Sequence, residues 1–547
     1  MDVVLSLVSH TNAGKTTLAR TLLGTDVGEV RDAPHVTEFA DGHDLVVTPD
    51  GDRLRLWDTP GFGDSARLLR RLQASAQPLG WFMSAVWDRW RDRPFWLTQQ
   101  ALRHVQADSD VLLYLVNATE APAAAGYVAP EMDLLAWVGK PVLVLLNQLG
   151  APRAPAAEAA DVDAWRQHLQ RWPGVLGVLP LDAFARCWVH ETALLQAVQQ
   201  VLVGDKAGDT AGDKAAAMQR LAAAWQARRQ ATFDAAMQEL AQSLARTACA
   251  RQPLDDGQGR FVESLRQMGG ALGQMARRMS RMSSVSRVSR ASRVNSAGAA
   301  EDDSAGAAAT MTPAQRALAA ALDTEVAAST GRLLALHGLA GRAQGEILQR
   351  VAGQFAQVQH VPEGQAALWG GAVTGALAGL KADIVSGGLT LGGGMLAGAL
   401  IGALGAAGLA RGINVVRGTD QSWLRWSDDA LGTITDAALL RYLAVAHFGR
   451  GRGEWAQGEA PPHWRHTVAA ALAGQQPALA ALWAERKTDG LADRVADRVA
   501  EHKAEHQAEH KADHQADALA AQLQPLLAAA ALRALGLLYP AAYHPPA

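Results

Sequence analysis

The chain has 547 residues, too many for one hydrophobic core, so we expect about three domains. Its formal net charge of −3 gives no general reason to expect a nucleic-acid partner, and we predict none. Cys187 and Cys249 form no disulfide spacing pattern and fit a reducing cytoplasm. We expect no signal peptide, because the first predicted strand begins within a few residues of Met1.

The first predicted strand, residues 3–8, is apolar and leads into the sequence SHTNAGKTT at residues 9–17. A strand, a glycine-containing loop and a helix start are typical of a phosphate-binding loop, whose N–H groups attract an anion. Lys15 would reach the β- and γ-phosphates, and the Thr16 hydroxyl would ligate Mg²⁺. Ser9 replaces the first glycine of the pattern G-x-x-x-x-G-K-[ST] and is small enough to be tolerated. The predicted nucleotide contacts of this loop are Asn12, Ala13, Gly14, Lys15, Thr16 and Thr17.

A second strand, residues 54–57, ends in Asp58-Thr59-Pro60-Gly61. In a nucleoside triphosphatase, this carboxylate would hold Mg²⁺ through water and the Gly61 N–H would sense the γ-phosphate. Alone, these four residues would be read as a turn, but after a phosphate-binding loop they indicate a nucleotide-sensing switch.

Thr37 lies where a first switch threonine would coordinate Mg²⁺, with Thr25 as an alternative. We therefore predict a catalytic group of Lys15, Thr37 and Gly61. The predicted metal ligands are Thr16, Thr37 and Asp58.

Residues 1 to about 205 resemble the Era/TrmE branch of bacterial GTPases, through residues 10–18, Thr37 and residues 57–62. The resemblance implies a doubly wound α/β fold that binds a guanine nucleotide at the carboxyl ends of its strands. It also implies Mg²⁺ as cofactor and GTP as substrate. The rest of the chain resembles an uncharacterised bacterial group that adds a long helical C-terminal domain to such a GTPase.

The base-recognition element departs from that family. A strand over residues 142–146 precedes Asn147-Gln148-Leu149-Gly150, where the family has Asn-Lys-x-Asp. The family aspartate accepts two hydrogen bonds from guanine, and losing such a pair removes about 1.5–3 kcal/mol of base discrimination. Asp182, in the loop that matches the family's Ser-Ala segment, is a candidate for the missing carboxylate. We predict nucleotide contacts from Asn147, Gln148 and Asp182, and the choice between GTP and ATP stays open.

Phe62 follows the Asp-x-x-Gly element, where a Ras-like enzyme has a glutamine that orients water. Many GTPases of the Era/TrmE branch also carry an apolar residue there. We expect slow intrinsic hydrolysis that a bound cation, a second protomer or an arginine in trans accelerates, the last by about 10³–10⁵-fold. Arg67, Arg70 and Arg71 are internal candidates, and equally fit a solvated helix.

Residues 81–96 interleave six aromatic side chains with three arginines and two aspartates. A cluster of this kind after a nucleotide-sensing loop fits a surface for a protein partner, for self-association or for a membrane interface. The alternative is that these rings pack the C-terminal helices onto the GTPase domain.

The C-terminal half is predicted to be mostly helical, because its apolar residues recur with helical spacing. Within it, the repeat at 492–518 places histidines four residues apart, which fits a solvated helix or a metal-chelating one. The predicted segments are a helical 206–276, a disordered Ser/Arg and acidic linker 277–310, a helical 311–363, a Gly-rich hairpin 364–410 and a helical 411–547.

The hairpin 364–410 carries glycines every four residues in each half, which lets helices approach closely, as in membranes. Its second half exceeds the ~20 residues that span a bilayer. Arg411 and Arg417 would suit a cytoplasmic flank, so we expect a cytoplasmic protein that is peripheral or inserted at the inner membrane. A soluble, buried hairpin is the alternative.

Two functions remain open. In the first, a GTP-hydrolysing switch drives a helical, membrane-associating output domain. In the second, the chain is a membrane-associated structural or interaction protein whose GTPase domain holds nucleotide and hardly hydrolyses it. Lys15, Thr16, Asp58 and Gly61 favour the switch.

Overall fold

The computed structural model describes residues 1–23, 41–73, 93–148, 155–181, 187–204, 211–254, 313–339, 413–417, 422–447, 463–496 and 504–540. The predicted linker 277–310, the predicted hairpin 364–410 and residues 81–92 lie outside these ranges. So do Thr25, Thr37, Gly150 and Asp182.

Strands and helices alternate along the first 204 residues, as expected for a sheet with helices on both faces. The strands are β1 Asp2–Ser9, β2 Asp41–Val47, β3 Arg53–Asp58, β4 Val111–Asn117, β5 Val142–Asn147 and β6 Val175–Pro180. The helices are α1 Lys15–Leu23, α2 Ser65–Gln73, α3 Arg93–Asp108, α4 Val128–Val138, α5 Pro155–Leu169 and α6 Trp188–Gly204.

The sheet has the strand order β2-β3-β1-β4-β5-β6. Only β2 is antiparallel to its neighbour among these six strands, and β1 lies in the middle, paired in parallel with β3 and β4. The predicted doubly wound α/β sheet is therefore confirmed. Its central strands are almost continuously apolar because helices cover both of their faces.

Each face of the sheet has its own hydrophobic core. Successive residues of β4 point to opposite faces, so Leu113 and Leu115 join one core and Leu112, Tyr114 and Val116 join the other. A shift of one residue would exchange the two sets, and burial on both faces therefore fixes the register of β4.

The rest of the described chain is mostly helical, as predicted. Its helices are α7 Ala211–Cys249, α8 Pro313–Leu336, α9 Asp428–Ala446, α10 His463–Leu472, α11 Gln476–Ala496 and α12 Ala504–Leu538. One compact unit comprises Met1–Phe233, Ala446–Pro461 and Leu535–Ala547, and the other comprises Asp234–Val445 and Pro462–Ala534.

The second unit contains a small antiparallel sheet that our sequence analysis missed. Its strands are β7 Arg251–Leu254, β8 Ile413–Arg417 and β9 Ser422–Trp426, in the order β7-β9-β8. We predicted helix in 206–276 and 411–547, where these strands lie. The short edge strand β7 contains Pro253, which is typical of an edge position, and its partner β9 lies far away in sequence.

Buried charge joins the helices of the second unit. Arg441 of α9 is buried and donates hydrogen bonds to the Val326 carbonyl at 3.0 Å and to Thr330 Oγ1 at 3.2 Å, both on α8. Burial lowers the pKa of Arg441 to about 10, although the charges of Glu325 and Glu239 oppose this. Both acceptors on α8 therefore offset the cost of burying the guanidinium.

Among the described helices, one segment, His514–Leu538, is long and apolar enough to cross a membrane. In its most apolar window, 44% is buried inside the protein. A core helix of a soluble protein meets the same criterion, so this segment adds little to the membrane hypothesis.

Two aspartates attach α7 to the amino-terminal edge of the large sheet. Asp52 lies 3.1 Å from the amino terminus of Met1 and 2.7 Å from Arg220 Nε. Asp110 lies 2.5 Å from Lys214 Nζ and accepts a hydrogen bond from the Val4 N–H. Both aspartates stand just before a strand begins, Asp52 before β3 and Asp110 before β4, so these contacts lie at the amino-terminal edge of the sheet.

We expect Asp52→Asn to make the protein less stable at pH 7. A hydrogen bond from Arg220, with one from the amino terminus, lowers the pKa of Asp52. A lowered pKa stabilises the fold above the unfolded-state pKa, and this contribution is lost as the pH falls through the folded-state pKa. Asp52→Asn should therefore lower the melting temperature at pH 7 and reduce its change between pH 7 and pH 3, measured by circular dichroism.

The matched control is Asp163→Asn, which removes an exposed ion pair with Arg166 inside one helix and should change the melting temperature little. If both substitutions changed the melting temperature equally, the stabilising role given to Asp52 would be contradicted.

Candidate functional site

Polar residues meet at the carboxyl edge of the large sheet. Leu7 of β1 is paired with Asp58 at the end of β3, and Asn117 of β4 is paired with Asn147 at the end of β5. Because the strands are parallel, their last residues surround the loop that follows Ser9. The structure therefore brings the predicted residues Asp58 and Asn147 to the predicted phosphate-binding loop.

The loop has the backbone of an anion site. Asn12 has φ of 66° and Gly14 has φ of 90°, with Ala13 between them outside this left-handed region. This alternation turns successive N–H groups towards one point, as in the concave nests that bind anions. The Leu18 N–H donates to the Gly14 carbonyl, so α1 begins directly at the loop and its positive end adds to the attraction.

Gly14 is required for two independent reasons. Its positive φ is unfavourable for residues with a Cβ, and a Cβ would lie only 2.6 Å from Asn147 Nδ2. Asn147 cannot move away freely, because it is fully buried and donates from Nδ2 to the Ala13 carbonyl at 2.8 Å. The side chain that we predicted to contact nucleotide thus holds the loop in this structure.

Lys15 is buried, with 7% of its surface exposed. Its Nζ donates to Ser9 Oγ at 3.0 Å, so the serine that replaces the expected glycine has a direct partner. Burial lowers the pKa of Lys15, and the negative charges of Asp58 and Glu131 oppose that effect. A Cβ on Gly61 would lie 3.1 Å from Nζ, which places the predicted sensing glycine beside the ammonium.

Thr16 and Asp58 form the second polar pair. Thr16 Oγ1 donates to Asp58 Oδ2 at 2.5 Å, and Asp58 is buried. Thr59 Oγ1 donates to the Leu7 carbonyl at 2.6 Å and so fixes the end of β3 against β1. A hydroxyl and a carboxylate side by side match the oxygen ligands that Mg²⁺ prefers. Thr17, in contrast, is buried within α1.

Gln148 directly follows β5 and has φ of 58°. Its Nε2 would lie 3.8 Å from a Cβ on Gly14, so this side chain lies next to the loop. The predicted contact Asp182 and the predicted ligand Thr37 are outside the described residues and stay predictions.

The segment that we predicted to sense nucleotide is fixed to the loop by its main chain. The Phe62 N–H donates to the Ser9 carbonyl at 2.9 Å, and Thr11 Oγ1 donates to the Phe62 carbonyl at 3.2 Å. The Phe62 ring is fully buried in one of the two cores and therefore cannot orient a water molecule.

The candidate arginines of α2 have partners nearby. Arg67 lies over the Phe95 ring at 4.5 Å, and Arg70 Nε donates to the Ala66 carbonyl. The side chain of Arg71 is not among those described. Phe95 is fully buried, so this member of the aromatic segment 81–96 packs within the domain.

A serine, a histidine and an aspartate in this domain are arranged in the order of a catalytic triad. Ser6 Oγ lies 3.3 Å from His104 Nε2, and His104 Nδ1 lies 3.1 Å from Asp108 Oδ2. Ser6, however, is 0% exposed and bonded to Ser109 Oγ at 2.6 Å. No acyl group can reach that hydroxyl, so these residues connect β1 to α3 and form no active site.

One buried carboxylate beneath the loop was not predicted from the sequence. Glu131 of α4 is 0% exposed, and its carboxylate is hydrogen-bonded to His10 in the loop and to Tyr114 in β4. Burial raises the pKa of Glu131, which the hydrogen bonds from His10 and Tyr114 oppose. The tertiary fold alone reveals this contact, because 121 positions separate His10 from Glu131.

Residues 4–148 match the sequence family described as the 50S ribosome-binding GTPase. Residues 4–148 form a P-loop GTPase domain. Residues 364–525 match a domain of unknown function (DUF3482). No curated protein matches the chain.

Two solved structures are similar to part of the chain. Era from Aquifex aeolicus bound to GDP and AlF4⁻ is 18% identical, with a TM-score of 0.25, over 33% of this chain and 51% of that one. The bacterial selenocysteine-specific elongation factor EF-Sec is 13% identical, with a TM-score of 0.23, over 37% of this chain and 29% of that one. The chain thus spans about half the length of the Era chain that it matches.

We expect Gly14→Ala to weaken binding of Mg-GTP by at least about tenfold, because the methyl group would displace Asn147 and strain the loop. Isothermal titration calorimetry measures the affinity. Gly51→Ala is the matched control, since Gly51 has a similar φ of 85° but no atom within 4 Å of the added Cβ. It should cost about 1–2 kcal/mol of stability and leave the affinity unchanged. Equal affinities in the two variants would be evidence against the role given to Gly14.

Proposed function

We propose that the chain is a GTP-hydrolysing molecular switch whose GTPase domain controls the helical C-terminal domain. The observation that carries this proposal is the convergence of Lys15, Thr16, Asp58 and Gly61 at one edge of the sheet. These are the groups that bind phosphates, bind the metal and sense the γ-phosphate in P-loop GTPases. Nothing in an ordinary strand-to-helix turn would require a buried lysine beside two such groups.

Thr16 and Asp58 would hold Mg²⁺, since both are oxygen ligands and lie within 2.5 Å of each other. When bound, the ion would neutralise charge on the phosphate oxygens. Thr37 is proposed as a further ligand from its position in the sequence.

The residues of the chain would bind and orient the nucleotide more than they would activate water. The Lys15 ammonium and the loop N–H groups would bind the phosphates, and the Gly61 N–H would contact the γ-phosphate. Because Phe62 is buried, the chain supplies no side chain at the position that orients water in Ras-like enzymes. We therefore propose a low intrinsic rate that a cation, a second copy of the chain or an arginine from a partner raises.

The preference for guanine over adenine is the finer part of the proposal. The GTPase domain supports guanine-nucleotide binding, but the sequence has Gln148 and Gly150 where the family pattern has lysine and aspartate. The hydrogen bond from Asn147 to the Ala13 carbonyl keeps the base-recognition segment close to the loop. Selectivity between GTP and ATP is accordingly expected to be modest.

Lys15→Ala should abolish Mg-dependent GTP hydrolysis and lower nucleotide affinity by about tenfold or more, because it removes a charged hydrogen-bond donor to the phosphates. Calorimetric titrations of the full chain with GTP and with ATP measure the affinities. Phosphate-release assays measure the rate of hydrolysis. Lys140→Ala, a lysine in the turn before β5, is the matched control and should behave as the unsubstituted chain. The proposal fails if Lys15→Ala hydrolyses GTP as fast as that control.

We also propose that residues 364–410 attach the protein to the cytoplasmic face of the inner membrane. Two long uncharged stretches with glycines at four-residue spacing support this proposal. The flanking Arg411 and Arg417 would suit the cytoplasmic side.

The full chain should therefore float with anionic phospholipid vesicles in a density gradient. Leu396→Arg should prevent flotation, because a charge at the centre of a span costs about 2.5–3.5 kcal/mol. Leu336→Arg changes an exposed leucine of α8 instead and should float normally. An unsubstituted chain that stays at the bottom of the gradient would disprove the membrane proposal.

A further inference from the structure

The carboxylate of Glu131 lies at the centre of a buried polar cluster under the phosphate-binding loop. Its Oε1 lies 2.8 Å from His10 Nδ1, and its Oε2 accepts a hydrogen bond from the Tyr114 hydroxyl at 2.7 Å. The Ser65 hydroxyl, on the first residue of α2, donates to Oε1 at 3.4 Å. A carboxylate with no exposed surface depends on such donors, because nothing else replaces its lost hydration.

The main chain and the ring of His10 each have a partner, although its side chain is partly exposed. Its main chain forms a parallel bridge with Phe62, and its ring stacks on Tyr127 with 4.7 Å between the ring centroids. The preceding residue, Ser9, accepts the hydrogen bond from Lys15. Because successive residues of an extended chain point to opposite sides, Ser9 contacts the ammonium and His10 contacts Glu131. The carboxylate therefore holds the loop through His10, while the neighbouring Ser9 holds the ammonium of Lys15.

The same carboxylate also acts on the charge of the site. Glu131 favours the charged form of Lys15, against the burial that lowers the pKa of this lysine. Oε1 accepts from His10 of the loop and from Ser65, so one oxygen joins the loop to the start of α2.

We propose that Glu131 is a positioning residue for nucleotide binding, which holds the phosphate-binding loop in its binding conformation through His10. This inference rests on the proposed nucleotide site. Glu131 itself touches neither the phosphates nor the metal in this scheme. Its effect reaches the nucleotide through the backbone on either side of His10.

The test is a double-mutant cycle in the full chain, with Mg-GTP affinity measured by calorimetry and stability by thermal melting. Glu131→Gln keeps the size of the side chain but removes its charge and one acceptor. His10→Ala removes the donor from the loop. Each should weaken Mg-GTP binding by about tenfold or more, and the double variant should be little worse than either single one. Additive losses would overturn the proposal.

The matched control is Asp133→Asn, the same change of chemistry two residues further along α4. Asp133 accepts a hydrogen bond from Trp172 Nε1 at 2.7 Å, away from the loop. We expect this variant to bind Mg-GTP as tightly as the unsubstituted chain. An equal loss of affinity in Asp133→Asn and Glu131→Gln would mean that α4 acts only through general stability, which overturns the proposal.

A conservative variant separates positioning from folding. His10→Asn keeps an N–H donor close to the place of Nδ1 and should recover most of the affinity that His10→Ala loses. If Glu131→Gln fails to fold, the Mg-GTP affinities of His10→Asn and His10→Ala still test the positioning role. Equal affinities of these two variants overturn the proposal. If the unsubstituted chain binds neither GTP nor ATP, the proposed function itself fails, which is a different outcome.

Discussion

The parallel pairing of β1 with β3 and β4 is the constraint on which the site depends. Main-chain hydrogen bonds fix Leu7 opposite Asp58 and Ser9 opposite Leu115, and two apolar cores prevent any strand from slipping. This places the ends of β1, β3 and β5 at one edge, where the loop after Ser9 must turn. A slip of one residue would bury the polar edge and separate Thr16 from Asp58.

Buried charge at this edge is balanced within a small volume. Lys15, Asp58 and Glu131 are all buried, and each would be costly alone. Here the positive charge of the ammonium interacts favourably with the two carboxylates. Each charge also has a hydroxyl partner, which is Ser9 for the ammonium, Thr16 for Asp58 and Tyr114 for Glu131. A triphosphate and its cation would enter a site whose own groups are already oriented, which reduces the reorganisation that binding requires.

The second unit uses buried charge for a different purpose. Arg441 bonds to acceptors on α8, while Glu325 pairs with Arg246 and Arg332. These contacts join helices, and no group of three histidine, cysteine or acidic residues in the described part of the chain is placed to hold a metal. Most histidine side chains of the repeat at 492–518 are not among those described, so the choice between a solvated and a metal-chelating helix stays a prediction.

The sequence alone determined the loop after β1 and the α/β fold, because each depends on residues adjacent in the chain. Lys15, Thr16 and Gly14 lie within one loop, and alternating apolar strands and helices specify a doubly wound sheet. The sequence did not predict that Asn147 holds the loop, since its partner Ala13 lies 134 positions away. The sequence also did not predict the contact of Glu131 with His10 or the pairing of β7 with β9. Such contacts arise only when distant segments pack together, and no local pattern of residues encodes which buried polar group will meet which.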